Sequence, residues 1–127
     1  MPDLWPPDFG NLDVTPPLAI LREQAELLAR KTHGMLQGRV STSLSGITVL
    51  HQFLLIAPSL DNYSYKLFEV AHTVQLYPAT IQTEGGGRDY PCENYDEFVA
   101  ALREVLTSER TKSIIRAIVA QTARPGA

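Results

Sequence analysis

The sequence predicts an α+β fold, in which an antiparallel sheet of three to four strands is flanked by one N-terminal and two C-terminal helices (α-β-β-β-β-α-α). Apolar residues recur every three to four positions near both ends of the chain, as in amphipathic helices. Between residues 40 and 83 the apolar period falls to two, which is typical of strands. Strands that are grouped between helices, rather than alternating with them, favour antiparallel pairing.

Residues 1–15 are predicted to form an extended, proline-rich arm. Residues 1–17 contain five of the nine prolines, and proline lacks the amide that helices and sheets use. The arm also carries Trp5 and Phe9, for which a solvated tail would have little use. We therefore expect residues 4–12 to be ordered and to pack on their own domain or on a neighbouring subunit, with Trp5 as the anchor.

A single α+β domain is expected over residues 16–122, followed by a flexible tail at 123–127. Thr15 and Pro16 predict the start of the first helix, because Thr can cap free amides and Pro suits the first helical position. Gly34 predicts its end, at about Thr32.

Four strand-like segments follow. Residues 40–44 and 47–57 alternate around a Ser-Gly turn, and the turn at 58–62 (PSLDN) precedes two further runs, 63–72 and 74–82. The junction near His72 has none of the usual turn residues, so residues 63–83 fit either two strands or one long bulged strand.

The second strand is apolar on both faces from Phe53 onward, as expected for a strand in the centre of a sheet. The sequence leaves open whether the helices cover one face of the sheet or both. Helices on one face only would leave an apolar patch exposed, which favours a homodimer or a place in a complex. The expected patch consists of Leu50, Leu54 and Ile56 beside Phe68 and Val70.

Two C-terminal helices are predicted from their capping signals. Asn94 and Glu97 form a capping box before a helix that runs to about Thr107. Ser108 can cap a third helix.

Three consecutive glycines at 85–87, followed by Arg88 and then a helix, suggest a phosphate-binding loop. Five acidic residues lie between Glu84 and Glu97, against Arg88 as the only base, so a phosphate would be repelled. The spacing matches neither the P-loop nor the dinucleotide fingerprint. A flexible connection is the better interpretation, and no cofactor is expected.

The histidines offer the remaining candidate chemistry. A hairpin turn centred near Leu60 would place His51 opposite Glu69, which would give a base and its orienting carboxylate. No nucleophile is recognisable beside them, so a structural cross-strand pair is favoured over a catalytic one. His51, His72 and Cys92 have no short ligand spacing, so no metal is expected.

Composition excludes several other classes of protein. The chain has 127 residues, 44% of them hydrophobic and 20% charged, with a net charge of −3 and a single cysteine. A negative net charge argues against nucleic acid as a partner. The uncharged segment 40–60 is interrupted by polar residues, so no membrane span is expected. The absence of a signal peptide pattern and of cysteine pairs favours a cytoplasmic protein.

The expected function is that of a non-catalytic protein-binding or regulatory domain, which associates with itself or belongs to a complex. Tyr and Trp dominate protein interfaces, and His72 lies among the aromatic strands. The candidate binding residues are Trp5, Tyr65, His72 and Tyr77. The alternative is a small enzyme or ligand-binding domain, with a pocket between the sheet and the C-terminal helices and with His51 and Glu69 as its catalytic pair.

Overall fold

The computed structural model describes residues 1–10, 14–84 and 88–122. The predicted glycine connection at 85–87 and the predicted tail at 123–127 therefore lie outside the described residues. No helix within the described ranges is long and apolar enough to cross a membrane. The helices are α1 (Pro17–Lys31), α2 (Tyr95–Leu106) and α3 (Glu109–Thr122), and the strands are β1 (Gln37–Ser45), β2 (Thr48–Ala57), β3 (Tyr63–His72), β4 (Ala79–Thr83) and β5 (Asp89–Cys92).

The predicted α+β class, with an antiparallel sheet between one helix and two, is confirmed. The described sheet has five strands, one more than the upper estimate, in the order β1-β2-β3-β4-β5. Residues 63–83 form two strands, joined by a loop in which Leu76 has a positive φ of 73°. The strand that sequence reasoning missed is β5, which has four residues and contains Pro91, a poor strand former.

A β-bulge in β3 sets the register at the centre of the sheet. Phe53 of β2 pairs with Phe68, whereas the next residue, Leu54, pairs with Lys66, so Leu67 has no partner. Leu67 and Phe68 are consecutive and are both fully buried. Without the bulge, alternation would direct one of these two side chains to the opposite face of the sheet.

The described helices all pack on one face of the sheet. Helix α1 packs against β1 and β2, α2 against β4 and β5, and α3 against α2 and the 3₁₀ turn Pro58–Leu60. The main core lies between these helices and the sheet, and it includes Phe53 stacked on Phe68, with ring centroids 5.0 Å apart.

The opposite face of the sheet carries a smaller apolar patch than the sequence suggested. Leu50, Leu54 and Ile56 alternate with core residues along β2, and Ile56 is buried without belonging to the core cluster. The prediction that Phe68 and Val70 belong to this patch is wrong, because both are fully buried in the core beneath the helices. Their place on the open face is taken by polar residues of β3, such as Glu69.

The ends of the C-terminal helices follow the predicted capping pattern. The amide of Glu97 donates to Asn94 Oδ1 at 2.9 Å, and Glu97 accepts in turn from the amide of Glu93 at 2.8 Å. The amide of Thr111 donates to Ser108 Oγ at 3.2 Å. Helix α1 differs from the prediction, because Pro16 occupies its N-cap position and its N-cap makes no side-chain hydrogen bond.

Close approach of α1 to the sheet depends on Gly38. A Cβ added at Gly38 would lie 2.6 Å from both Cα and Cβ of Ala25 on α1. Such distances are far below van der Waals contact, so any side chain at this position would push the helix away from β1. The position of α1 over the sheet therefore requires glycine here.

We expect Gly38→Ala to lower the free energy of unfolding by about 1–3 kcal/mol, because α1 must shift away from β1. The measurement is urea denaturation followed by circular dichroism. Ser43→Ala, at an exposed position of the same strand, is the matched control and should stay within about 0.5 kcal/mol of the wild type. Equal stability of the two variants would contradict the close packing.

Candidate functional site

An open apolar groove lies between α1 and α2, above the sheet. Its volume is about 460 Å³, within the range of ligand-binding pockets. The sheet supplies the floor with Phe53, Leu55 and Leu67, and α3 contributes residues to the lining. The helix walls contain mainly aliphatic side chains, among them Ile20, Leu27, Leu28, Val99, Leu102 and Leu106.

Two cations line the groove from opposite walls, Lys31 on α1 and Arg103 on α2. Both residues are exposed, and neither forms an ion pair with another described residue. An apolar groove with positive charge on both walls is suited to an apolar ligand that carries negative charge.

The lining offers little for acid–base or nucleophilic chemistry. Among the described residues that line the groove there is no Asp, Glu, His or Cys. Thr111 is fully buried, and its hydroxyl donates to the carbonyl of Val105 at 2.7 Å, where it joins α3 to the end of α2. The arrangement is suited to binding.

The expected cross-strand pair of His51 and Glu69, which the alternative function would use for catalysis, is not formed. His51 pairs with Val70, and Glu69 pairs with Gln52, so His51 and Glu69 point to opposite faces of the sheet. On the side of Leu67 that lies away from the β2–β3 turn, the bulge shifts the register by one residue. The position of the turn alone therefore predicts the wrong partner for His51. Glu69 instead accepts from Gln52 Nε2 at 3.3 Å on the open face.

The partner of His51 is His72, which the same shift brings within reach. Nε2 of His51 lies 2.8 Å from Nε2 of His72, and the two side chains are 3% and 7% exposed. Nδ1 of His51 lies 2.8 Å from the hydroxyl of Thr42, and Nδ1 of His72 lies 2.6 Å from the carbonyl of Thr73. All four ring nitrogens therefore have hydrogen-bond partners.

Hydrogen-bond logic assigns the tautomers of this pair. A carbonyl oxygen only accepts, so Nδ1 of His72 carries the proton that Thr73 accepts. In neutral His72, Nε2 then accepts from Nε2–H of His51, whose Nδ1 accepts from Thr42. Burial, His72 and the guanidinium of Arg22 lower the pKa of His51 from 6.5 to about 4, so His51 is neutral at pH 7.

The two tyrosines proposed as binding residues hold parts of the domain together. The hydroxyl of Tyr65 accepts from Arg110 at 3.2 Å, which links β3 to α3. The hydroxyl of Tyr77 donates to the carbonyl of Thr15 at 3.1 Å, and its ring packs edge-on against Phe98 of α2. Neither tyrosine lines the groove.

Trp5, the fourth candidate, lies on the arm and is 74% exposed. Its ring makes an edge contact with Phe9, which is 63% exposed, at a centroid distance of 5.9 Å. The described residues 1–10 of the arm are therefore not packed on their own domain. The other expectation, packing on a neighbouring subunit, stays a prediction.

The surroundings of Cys92 and Arg88 favour structural roles for both residues. Burial raises the pKa of the Cys92 thiol, with a smaller contribution from Glu97, and this disfavours the reactive thiolate. Arg88 lies 3.4 Å from Glu104 and 4.8 Å from the ring centre of Tyr90. In the described part of the chain, no three His, Cys, Asp or Glu side chains are grouped so that they could hold a metal ion.

Sequence reasoning missed the histidine pair and the residues that line the groove, although the alternative function included a pocket between the sheet and the C-terminal helices. The groove is lined by residues from α1, β2, β3, α2 and α3, so no local motif marks it. The only available signal was that Lys31 and Arg103 lie beside the apolar stripes of two separate helices. The histidine pair depends on the bulge, and no turn residue in the sequence predicts a bulge at this position.

At pH 7 we expect His72 to carry its proton on Nδ1 and His51 to carry its proton on Nε2, as the hydrogen-bond chain requires. Long-range proton–nitrogen NMR spectra distinguish the two tautomers by the ring nitrogen shifts. Thr42→Val removes the donor to Nδ1 of His51 and should alter the His51 nitrogen shifts more than those of His72. Rapid tautomer averaging at both rings in the wild type would contradict this chain of hydrogen bonds.

The free energy of unfolding should decrease as the pH is lowered, because of His51. Its pKa is lowered from 6.5 to about 4, so between these values the unfolded chain binds a proton that the folded chain does not. The stability contribution is complete above pH 6.5 and is lost as the pH falls towards 4, by on the order of 3 kcal/mol.

Urea denaturation at a series of pH values measures this slope. His51→Gln should flatten the slope between pH 6.5 and 4, whereas His33→Asn, at an exposed position, should retain it. A slope that is unchanged in His51→Gln would show that the proton binds elsewhere.

Comparison with known proteins identifies no relative for this arrangement. No family model matches the chain, and neither a curated protein nor a solved structure matches it.

Proposed function

We propose that this chain is a non-catalytic protein-binding domain, whose groove between α1 and α2 takes a short apolar protein segment that carries acidic residues. The observation that supports this proposal is the combination of an apolar floor with one cation on each wall, Lys31 and Arg103. A regulatory role follows if the bound segment belongs to a partner whose activity depends on that segment.

The apolar part of the groove supplies the affinity. Ile20 and Leu102 are buried, but Leu27, Leu28, Val99 and Leu106 are only partly covered. Each apolar side chain that covers them gains about 25 cal/mol for every Å² removed from water. One or two aromatic or aliphatic side chains of a ligand could fill this space.

The charges select the ligand. Lys31 and Arg103 are exposed, so each ion pair with a ligand carboxylate would contribute about 0.2–1 kcal/mol. Such contributions are too small to drive binding but large enough to discriminate acidic segments from basic ones.

A small-ligand or enzyme function is the alternative, and the position of the groove favours it in one respect. The alternative assumes a pocket between the sheet and the C-terminal helices, and α2 and α3 both contribute residues to the groove. The proposed catalytic residues do not support it, because His51, Glu69 and His72 are absent from the groove lining. A small apolar carboxylate remains the natural competitor to a peptide.

Methyl NMR of the 127-residue chain at low concentration tests the proposal. A short peptide with Trp, Phe and two Asp residues should shift the methyl signals of Leu27, Leu55 and Leu102. The same peptide with Lys in place of Asp should bind about tenfold more weakly, as should the acidic peptide to Lys31→Glu/Arg103→Glu.

Arg30→Glu/Arg116→Glu is the matched control, since it changes the net charge equally at exposed positions that do not line the groove. This variant should bind the acidic peptide as the wild type does. Dodecanoate serves as the small-ligand probe. Tight binding of dodecanoate without peptide binding would favour the alternative, and equal binding of both peptides would contradict the role of the cations.

A further inference from the structure

We propose that the segment bound in the groove is the N-terminal arm of a second copy of this chain, so that two copies exchange arms. Trp5 and Phe9 would enter the partner's groove, and Asp3 and Asp8 would lie beside its Lys31 and Arg103. This inference rests on the proposed function and names the ligand of the groove.

The described part of the arm has the composition that the groove requires. Residues 1–10 contain Asp3 and Asp8 and no Lys or Arg. Trp5 and Phe9 are exposed and pack only edge-on against each other, so both retain large apolar surfaces without a partner. An acidic, aromatic arm and an apolar groove with basic walls are complementary in both charge and polarity.

Local hydrogen bonds give the arm a defined shape before it binds. Oδ1 of Asp3 accepts from the amide of Trp5, and Oδ1 of Asp8 accepts from the amide of Gly10, each at 3.0 Å. These Asx-type turns place each carboxylate next to an aromatic residue and leave the second oxygen of each carboxylate for a cation. A segment that is ordered beforehand loses less entropy on binding.

The described part of the arm does not occupy the groove of its own chain, which leaves that groove available to a second copy. The carbonyl of Thr15 accepts from Tyr77, and Pro16 with Pro17 restricts the backbone where the arm meets α1. Residues 1–10 are all exposed, and none of them lines the groove.

The area available agrees with a weak, specific dimer. Each aromatic side chain can bury about 150–250 Å². Two arms with two aromatic side chains each bury about 600–1,000 Å² of arm surface, and the groove surface that they cover brings the total to about 1,000 Å² or more, at the lower end of specific interfaces. We therefore expect a dimer that forms in a concentration-dependent manner.

A charge-swap experiment on the full chain tests the exchange. One variant carries Asp3→Lys/Asp8→Lys and the other carries Lys31→Glu/Arg103→Glu. Either variant alone has like charges on arm and groove, so its dimer should be at least about tenfold weaker than that of the wild type. In the mixture both arm–groove contacts are complementary again, and analytical ultracentrifugation should show a mixed dimer of wild-type strength.

The fluorescence of Trp5, the only tryptophan, reports on the same contact. Its emission should shift to the blue and become protected from acrylamide as the wild-type concentration rises, in step with the dimer. Ser43→Ala is the control and should dimerise normally, whereas Phe9→Ala should weaken the dimer without changing the urea midpoint of the monomer.

Three results would overturn the inference. Trp5 emission that stays solvent-like while the protein is monomeric at high concentration would show that the arm does not dock. Blue-shifted emission that does not change with concentration would place the arm in its own groove. A wild-type dimer that tolerates either charge-swap variant alone would place the contact elsewhere.

The two proposals fail in different ways. If the acidic peptide binds the groove of Trp5→Ala/Phe9→Ala but the mixed dimer does not form, only the identity of the ligand is wrong. If neither the peptide nor the arm shifts the groove methyls, the protein-binding function of the groove is wrong as well.

Discussion

The bulge at Leu67 determines which side chains face the helices, and much of the remaining structure depends on it. On the side of the bulge away from the β2–β3 turn, Phe53 pairs with Phe68. Between the bulge and the turn, the strands keep the register that the turn predicts. The extra residue allows Leu67 and Phe68 to enter the core together, and Leu67 becomes part of the groove floor. The same shift brings His51 next to His72 and separates it from Glu69. One inserted residue thus decides the core, the groove and the buried polar pair.

The buried histidines show how a polar pair is accommodated at the end of a core. Both rings lie on the helix-covered face, where an unpaired nitrogen would be destabilising by about 1–3 kcal/mol. Each nitrogen has a partner, and no buried polar side-chain atom among the described residues lacks one. The chain of hydrogen bonds has one consistent direction in the neutral state, from the Thr42 hydroxyl to the Thr73 carbonyl. The pair therefore specifies the register of β2 against β3 as strictly as the apolar residues do.

The features that could be predicted from the sequence are those with local causes. The capping box at Asn94 and Glu97, the cap at Ser108 and the end of α1 near Gly34 depend on neighbouring residues, and the structure has all of them. The number of strands was underestimated because β5 is short and contains a proline. The histidine pair could not be predicted, because it depends on the bulge. The lining of the groove could not be predicted either, because it combines the bulge with helices that are distant in sequence. A hairpin turn predicts register only up to the first irregularity.

The order of the sheet has a consequence for how the domain is assembled. Every strand pairs with its neighbours in the chain, so each pairing closes only a short loop and loses little chain entropy. Docking α1 on β1 and α2 on β4 and β5 is also local, because these elements are adjacent in sequence. The groove is the exception, since its walls come from opposite ends of the chain. Its walls therefore come together only when α1 and α2, which are distant in sequence, have both docked on a sheet built from local hairpins.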